Sequence, residues 1–169
     1  MKNLLPKIYK KDIYNINYKL LKKKGYNFLF FDMDNTLIDY SKKEPTKEII
    51  QLFKELETDG FKIFILSNSL PKRLNKFTSM IRITDSISFA CKPSKKAYIK
   101  LINKHKLNPN KIACIGDQIY TDVKGANKLN LLSILVDPIS KKEHILTKLN
   151  RIKEQKIYKK YIKRGEDYE

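Results

Sequence analysis

Short apolar runs that end in polar residues most constrain how this chain can fold. The clearest run is FLFFD, in which four apolar side chains from Phe28 to Phe31 lead directly into Asp32. A continuous apolar run with polar ends is typical of a strand that is buried on both faces of a parallel sheet. The predicted strands are residues 28–32, 61–69, 87–90, 111–117 and 131–137.

Segments with apolar residues at helical spacing separate these runs. In the first of them, Asp12 is the predicted N-cap and Gly25 the predicted stop. The predicted helices are residues 12–24, 45–58, a short helix that starts at Pro71, 94–106 and 119–129. Strands that alternate with helices indicate βαβ units. The sequence therefore predicts an α/β fold: a doubly wound, Rossmann-like, five-stranded and mainly parallel sheet.

The chain has 169 residues, which is the size of one domain. We expect a single domain over residues 1–169, with a core at about 26–140, the N-terminal helix 12–24 and a basic C-terminal helix 141–165. That last helix has two apolar faces, and only one of them can pack on the sheet. The predicted core face is Ile145, Leu149 and Ile152, and the other is Ile157, Tyr158, Tyr161 and Ile162. An anionic membrane surface, a dimer contact and a solvated helix end all remain open for the second face.

The chain is strongly basic, with 36 Lys and Arg against 18 Asp and Glu and a net charge of +18. This charge favours an anionic partner: nucleic acid, an anionic membrane surface or a phosphorylated substrate. A compositional bias without any binding role is the alternative, because only four of the basic residues are arginine and the chain is rich in Lys, Asn and Ile. Nucleic acid is not favoured, because the chain has no recognisable nucleic-acid-binding motif. No apolar run reaches the length of a transmembrane helix, and two cysteines without metal-ligand spacing favour a reducing cytoplasm.

Polar residues stand at or shortly after the ends of four predicted strands. They are Asp32 with Asp34, Ser67, Lys92 and Asp117. Because the carboxyl ends of parallel strands meet at one edge of a sheet, we expect these side chains to share one crevice. Asp32 and Asp34 point the same way in an extended chain, and carboxylates so close together require a cation or a shared proton. An ordinary strand-ending turn is the alternative for this pair alone.

Four motifs carry a resemblance to a known family. DMDNT (32–36), LSNS (66–69), KP (92–93) and GDQIYTD (116–122) resemble, in the correct order, the four motifs of the haloacid dehalogenase superfamily of phosphotransferases. The pattern GDQ-x-x-TD-x-x-GAN and the lack of room for a cap domain are similar to the YqeG-like group of subclass IIIA phosphatases. Relatives of that group include phosphatidylglycerophosphate phosphatases.

The resemblance implies a role for each motif residue. Asp32 attacks phosphorus and forms an aspartyl-phosphate, and Asp34 exchanges protons with the leaving group and with water. Ser67 and Lys92 bind the phosphoryl group, and Asn68 contacts substrate or forms a turn. For Asn35 and Ser69 the same two readings stay open, and Thr36 is expected to stabilise the turn.

The resemblance also implies Mg²⁺ as the cofactor. Asp32, the Asp34 carbonyl and Asp117 are the expected protein ligands, while Asp122 is expected to orient a metal-bound water. Cap domains of this superfamily follow the first motif or lie between the second and third, and here one helix and its connections fill each gap. A site without a lid accepts a phosphate on a large molecule, such as a lipid, a nucleic-acid end or a protein.

The predicted function is Mg²⁺-dependent hydrolysis of a phosphomonoester, with phosphatidylglycerophosphate at the cytoplasmic leaflet as the favoured substrate. The protein is expected to be cytoplasmic, with peripheral attachment to the inner face of the membrane. Two alternatives stay open. One is a phosphatase of a soluble or nucleic-acid phosphomonoester, and the other is a binding protein that keeps this fold without turnover. The oligomeric state is left unassigned.

Overall fold

A parallel β-sheet forms the centre of the structure, which is a computed structural model that describes residues 2–140 and 152–158. Within those ranges the sheet has six strands, all paired in parallel. They are β1 (Ile8–Lys10), β2 (Phe28–Phe31), β3 (Lys62–Leu66), β4 (Asp85–Ile87), β5 (Ile112–Gly116) and β6 (Leu132–Val136). The strand order is β1-β6-β5-β2-β3-β4, which places the strands of the first, second and fourth motifs side by side at the centre.

Helices cover both faces of this sheet. They are α1 (Tyr18–Lys23), α2 (Lys47–Thr58), α3 (Pro71–Thr78), α4 (Lys96–Lys104) and α5 (Lys124–Asn127), and a π-helical turn, Ile119–Val123, leads into α5. Phe31 packs with α2 and α3 in one apolar cluster, whereas Phe30 packs with α4 in another. Because consecutive residues of one strand fill opposite clusters, both faces of the sheet are buried and the predicted doubly wound architecture is confirmed.

The predicted number of strands is wrong, because β1 was not recognised. Its three residues lie in a basic segment that has no buried apolar run. Contacts far along the chain hold it: the Lys7 N–H donates to the carbonyl of Ser133, and the Asn127 side-chain amide donates to the carbonyl of Leu5 at 2.8 Å. Local pattern cannot reveal a strand that is stabilised by such long-range hydrogen bonds.

The predicted third strand, residues 87–90, is misplaced, since β4 is Asp85–Ile87. Phe89 and Cys91 have φ angles of 46° and 51°, which lie outside the extended region. The chain therefore turns immediately after Ile87 and leaves Phe89 on the surface, 56% exposed.

The predicted helix 12–24 is interrupted. The Asp12 carboxylate accepts from the N–H groups of Tyr14 and Asn15 and caps a single 3₁₀ turn. Ile16 is then extended, and the Asn17 side chain accepts from the Leu20 N–H to start α1. A second polar cap within the segment thus divides one apolar stripe into two short elements.

The predicted C-terminal helix 141–165 lies mostly outside the described residues, and so do Ile145, Leu149, Tyr161 and Ile162. Residues 152–157 are helical, with Ile152 62% exposed and Glu154 buried. Ile157 and Tyr158 pack against a small cluster of Ile119, Val123 and Leu135. For the residues described, the predicted faces are therefore reversed, because the turn that bears Ile157 and Tyr158 contacts the core and Ile152 points outward.

No helix within residues 2–140 and 152–158 combines the length and the apolar character that crossing a bilayer requires. The connections from β2 to α2 (residues 32–46) and from β3 to α3 (residues 67–70) contain no inserted domain. The prediction that the fold has no cap is thus confirmed for these connections.

Candidate active site

The four motifs meet at the carboxyl edge of the sheet. Asp32 follows β2, Ser67 follows β3 and Asp117 follows β5, while Lys92 lies in the loop after β4. The Asp32 N–H donates to the Ile115 carbonyl at 2.9 Å, so the pairing of β2 with β5 continues up to the first aspartate. The sheet register therefore brings together side chains that are up to 85 positions apart in the sequence (32 to 117).

The Lys92 ammonium lies between two carboxylates at the centre of the site. Its Nζ donates to Asp32 Oδ1 and to Asp122 Oδ1, each at 2.6 Å. The side chains of Lys92, Asp32 and Asp122 are only 3%, 9% and 7% exposed. Because water cannot solvate these charges, their mutual hydrogen bonds provide most of the compensation for burial.

A side chain from the second motif positions the loop that carries Lys92. Asn68 Oδ1 accepts from the Lys92 backbone N–H at 2.8 Å, and Asn68 Nδ2 donates to the Lys92 carbonyl at 3.4 Å. The Asn68 side chain thus makes both hydrogen bonds that a neighbouring strand would make with the Lys92 backbone, and it links the loops after β3 and β4. Its predicted contact with substrate stays a prediction.

Burial and charge shift the pKa values of this cluster. Burial raises the pKa of Asp32, and the carboxylates of Asp122 and Asp117 act in the same direction, against the lowering effect of Lys92. For Lys92, burial alone would lower the pKa, but the negative charges of Asp122 and Asp32 outweigh it and the pKa is raised. Lys92 therefore stays positively charged, and the carboxylates of Asp32, Asp117 and Asp122 together carry more negative charge than it neutralises.

Oxygen atoms of Asp32, Asp117 and Asp122 lie within 4.8 Å of one another. Asp32 Oδ2 is buried and has no hydrogen-bond partner among the residues that the structure describes. An orphaned carboxylate oxygen beside two further carboxylates fits a hard divalent cation, which prefers oxygen ligands and balances their charge. The residues present therefore suit a metal ion, as the motifs predicted.

Gly116 makes the position of Asp122 possible, a role that the sequence pattern alone does not reveal. A Cβ atom at Gly116 would lie 2.4 Å from Asp122 Cγ and 2.6 Å from its Oδ2. The π-helical turn after β5 brings Asp122 back over the end of the strand, where its Oδ2 accepts from the Gln118 N–H at 3.1 Å. In the sequence, a glycine directly before Asp117 in GDQIYTD is the feature that indicates a close approach to the end of this strand.

Asp34 is held apart from the three clustered aspartates. Its Oδ1 accepts from Arg73 Nε at 2.8 Å and from Arg73 Nη2 at 2.6 Å, and both side chains are partly exposed. The Arg73 guanidinium carbon lies 5.4 Å from the centroid of the Tyr40 ring. Arg73 is the clearest residue missed from the sequence, and its position in the first turn after LSNS, in a chain with four arginines, was the signal.

The remaining motif residues order the loops. The Ser67 and Ser69 hydroxyls are hydrogen-bonded at 2.7 Å, and Ser67 is buried beside Lys92's loop. The Thr36 hydroxyl donates to Asp117 Oδ1 at 3.0 Å, so it contacts the fourth motif rather than only its own turn. Asn35, with a φ of 64°, makes that turn through its N–H bond to the Ile38 carbonyl.

Replacing Lys92 with methionine should destabilise the metal-free protein by about 3–5 kcal/mol, because the variant leaves buried carboxylates without their cation. Excess divalent cation should recover part of that loss, since it supplies positive charge to the same carboxylates. Urea unfolding of the wild type and of Lys92→Met, with and without Mg²⁺, measures both effects.

Lys104→Met is the matched control, because Lys104 contacts Asp85 at 2.7 Å with a side chain that is 60% exposed. Its loss should stay below about 1 kcal/mol, as for other surface ion pairs. Equal losses for the two lysine variants would show that the buried cluster has no special dependence on Lys92.

Comparison with known proteins agrees with this geometry. Residues 89–156 match a family model described as "HAD-hyrolase-like". "Probable phosphatase YqeG" of Bacillus subtilis is 31% identical over 164 residues, which cover 97% of this chain and 95% of that protein. "Phosphatidylglycerophosphate phosphatase 1, chloroplastic/mitochondrial" of Arabidopsis thaliana is 27% identical over 176 residues, which cover 96% of this chain and 49% of that protein.

A solved structure shows the same fold. The D,D-heptose 1.7-bisphosphate phosphatase from B. bronchiseptica, crystallised with magnesium and phosphate, superposes with a TM-score of 0.55 at 12% identity. The match covers 64% of this chain and 79% of that one. Since the bacterial relative is matched over nearly its whole length, the chain belongs to the haloacid dehalogenase superfamily, as a phosphomonoester hydrolase of the YqeG-like group.

Proposed function

We propose that this protein is a Mg²⁺-dependent phosphatase that converts phosphatidylglycerophosphate to phosphatidylglycerol through an aspartyl-phosphate on Asp32. The observation that carries the proposal is the buried cluster in which Lys92 contacts Asp32 and Asp122 while Asp32 Oδ2 lacks a hydrogen-bond partner among the described residues. The name of the Arabidopsis relative supports the choice of substrate.

Asp32, Asp117 and the Asp34 carbonyl would hold the Mg²⁺, and Asp122 would orient a bound water. The B. bronchiseptica phosphatase, with its magnesium and phosphate, supports the choice of metal. When bound, Mg²⁺ reduces the repulsion between a carboxylate nucleophile and a phosphate dianion. The clustered carboxylates supply the hard oxygen ligands that this ion prefers.

In the first step, a carboxylate oxygen of Asp32 attacks phosphorus and the bond from phosphorus to the ester oxygen breaks. The Lys92 ammonium, 2.6 Å from Asp32 Oδ1, is placed to stabilise negative charge on the transferring group. Ser67, at the end of β3, is placed to donate to a phosphoryl oxygen once its hydroxyl turns from Ser69. The departing alkoxide takes a proton from the protonated form of Asp34, which the water proton of the second step restores.

In the second step, Asp34 takes a proton from water, the water oxygen attacks phosphorus, and the bond from phosphorus to Asp32 breaks. Asp34 must reach the ester oxygen and the water in turn, and Arg73 holds its carboxylate near the mouth of the site. We assign Arg73 as a positioning residue, which orients Asp34 between turnovers and releases it to the substrate.

The open site supports a lipid-borne substrate. No inserted domain follows the first or the second motif, so the phosphate of a lipid headgroup can enter while the rest of the lipid stays outside. The net charge of +18 favours anionic surfaces and substrates. We propose a cytoplasmic protein that acts at the inner face of the membrane.

Asp32→Asn should lower phosphate release from an aryl phosphate by roughly three orders of magnitude or more, because an amide is a poor nucleophile. Removal of Mg²⁺ with a chelator should abolish wild-type activity, and added Mg²⁺ should restore it. A phosphate-release assay measures both, with Asp59→Asn, at the exposed end of α2, as the control. Retention of wild-type rates by Asp32→Asn would exclude the covalent mechanism.

Asp34→Asn should lower turnover of an alkyl phosphate by about a hundredfold or more, since a poor leaving group needs a proton. Single-turnover phosphorylation by an activated aryl phosphate should suffer much less. Arg73→Ala should show the same selectivity with a smaller loss. Arg82→Ala is the matched control, because Arg82 is 84% exposed and lies 3.7 Å from Glu57. Equal losses for the two substrate types would contradict the acid role of Asp34.

The affinity for Mg²⁺ should increase as the pH rises from the acidic range. Burial raises the pKa of Asp32 in the metal-free protein, so protons compete with the cation at low pH. The folded state then binds this proton more tightly than the unfolded state, and the metal-free protein loses stability as the pH rises toward the folded pKa. Calorimetric Mg²⁺ titrations at several pH values measure the effect, and an affinity that is constant or falls with pH would contradict it.

A further inference from the structure

Four exposed apolar side chains lie on loops at the carboxyl edge of the sheet, the edge that also carries the site. Tyr40, Leu70, Phe89 and Ile139 are 43%, 60%, 56% and 52% exposed, and we call these four residues the apolar rim. They follow the carboxyl ends of β2, β3, β4 and β6, respectively. Because the strands are parallel, all four loops lie at the same edge of the sheet as Asp32 and Lys92.

Contacts connect the rim to the catalytic loops. The Phe89 N–H donates to the Ser69 carbonyl at 3.1 Å, which joins the loop after β4 to the second motif. The Arg73 N–H donates to the Leu70 carbonyl at 3.1 Å, and the guanidinium of the same arginine lies over Tyr40. The Ile139 N–H donates to the carbonyl of Asn35 in the first motif. The loops that carry the rim are therefore hydrogen-bonded directly to the loops that carry the first and second motifs.

Two rim residues occur where the local backbone favours another residue type. Phe89 has a φ of 46°, a region that is costly for a bulky side chain and that asparagine tolerates better. Leu70 occupies the N-cap of α3 and makes no capping hydrogen bond, where serine or aspartate would stabilise the helix. Since neither side chain is buried in the core, folding does not explain their apolar character, and this points to a contact outside the chain.

Exposed lysines accompany the rim. They lie in the loop after the first motif or at the starts of α3 and α4: Lys42, Lys43, Lys72, Lys95 and Lys96. On the same loop, Asp39 accepts from Ser41 and Glu44 pairs with Lys76. Exposed apolar side chains and exposed lysines on the loops and helix starts of one edge match an anionic bilayer, which offers acyl chains beneath negatively charged headgroups.

We propose that the apolar rim is a docking face for an anionic lipid bilayer, with Leu70 and Phe89 inserted between headgroups and the active site facing the lipid surface. The inference rests on the proposed function for the identity of the substrate and adds how the substrate arrives. A lipid-borne phosphomonoester then reaches Asp32 while its acyl chains stay in the bilayer. A second copy of the chain on this face would instead cover the mouth of both active sites.

The double variant Leu70→Ser with Phe89→Asn tests the docking face. The serine supplies a helix cap and the asparagine suits the positive φ, so the variant should fold at least as stably as the wild type. Met80→Ser is the matched control, because Met80 is 46% exposed after the carboxyl end of α3, at the opposite edge of the sheet. Sedimentation with vesicles of phosphatidylglycerol and phosphatidylcholine measures binding, and vesicles of phosphatidylcholine alone measure its charge dependence.

The double variant should bind the mixed vesicles about tenfold or more weakly than the wild type, since two apolar side chains no longer enter the bilayer. Met80→Ser should bind like the wild type, and added salt should weaken binding of both. All three proteins should hydrolyse a soluble aryl phosphate equally, while the double variant turns over phosphatidylglycerophosphate in vesicles more slowly.

Equal vesicle binding by the double variant and Met80→Ser, or no binding by the wild type, would overturn the docking face. So would a wild-type dimer that the double variant dissociates, or tighter binding to single-stranded nucleic acid than to the mixed vesicles. An error in the proposed substrate would give a separate result. Vesicle binding that depends on the rim, together with aryl phosphatase activity and no hydrolysis of phosphatidylglycerophosphate, would support the rim and refute the proposed lipid.

Discussion

The ammonium of Lys92, held between the carboxylates of Asp32 and Asp122, is the interaction on which the rest of the site depends. All three side chains are nearly inaccessible to water, so none of these charges is tolerable without the others. Asp32, Lys92 and Asp122 come together only when three segments are correctly placed: the end of β2, the loop after β4 and the helical turn after β5. Asn68 and Gly116 contribute by fixing the second of these segments and by leaving space for the third.

The same cluster explains why the site suits phosphate chemistry. The single ammonium of Lys92 cannot neutralise the three carboxylates of Asp32, Asp117 and Asp122. The buried Asp32 Oδ2, which has no hydrogen-bond partner among the described residues, can coordinate a cation that supplies the missing positive charge. Asp34 lies outside this cluster, because Arg73 binds its partly exposed carboxylate. The fold thus gives Asp32 and Asp34 different environments, although the two are only two residues apart in the sequence, and the proposed mechanism assigns attack to Asp32 and proton exchange to Asp34.

The local sequence pattern predicts a strand correctly where an apolar run is buried and leads into a polar motif residue. The run from Phe28 to Phe31 predicts a strand buried on both faces, and in the structure Phe30 and Phe31 do fill opposite clusters. Local pattern failed where long-range contacts decide. The strand β1 exists because β6 and Asn127 bind it, and Ile157 packs inward because a cluster from β6 and the π-helical turn lies beneath it. The apolar character of Phe89 favours a strand, yet its backbone turns away and leaves it at the surface.

The sequence alone determined the βαβ order and the four polar strand ends, because apolar periodicity reports burial and parallel strands place their ends at one edge. It therefore also predicted that the four motifs meet there, although it did not reveal Arg73. Only the tertiary structure decided how they meet: that Asp122 shares the ammonium of Lys92, that Arg73 binds Asp34, and that Leu70 and Phe89 stay exposed on neighbouring loops. These are contacts between residues distant in the chain or on separate loops, and their geometry follows from strand register and loop conformation, which no local pattern encodes.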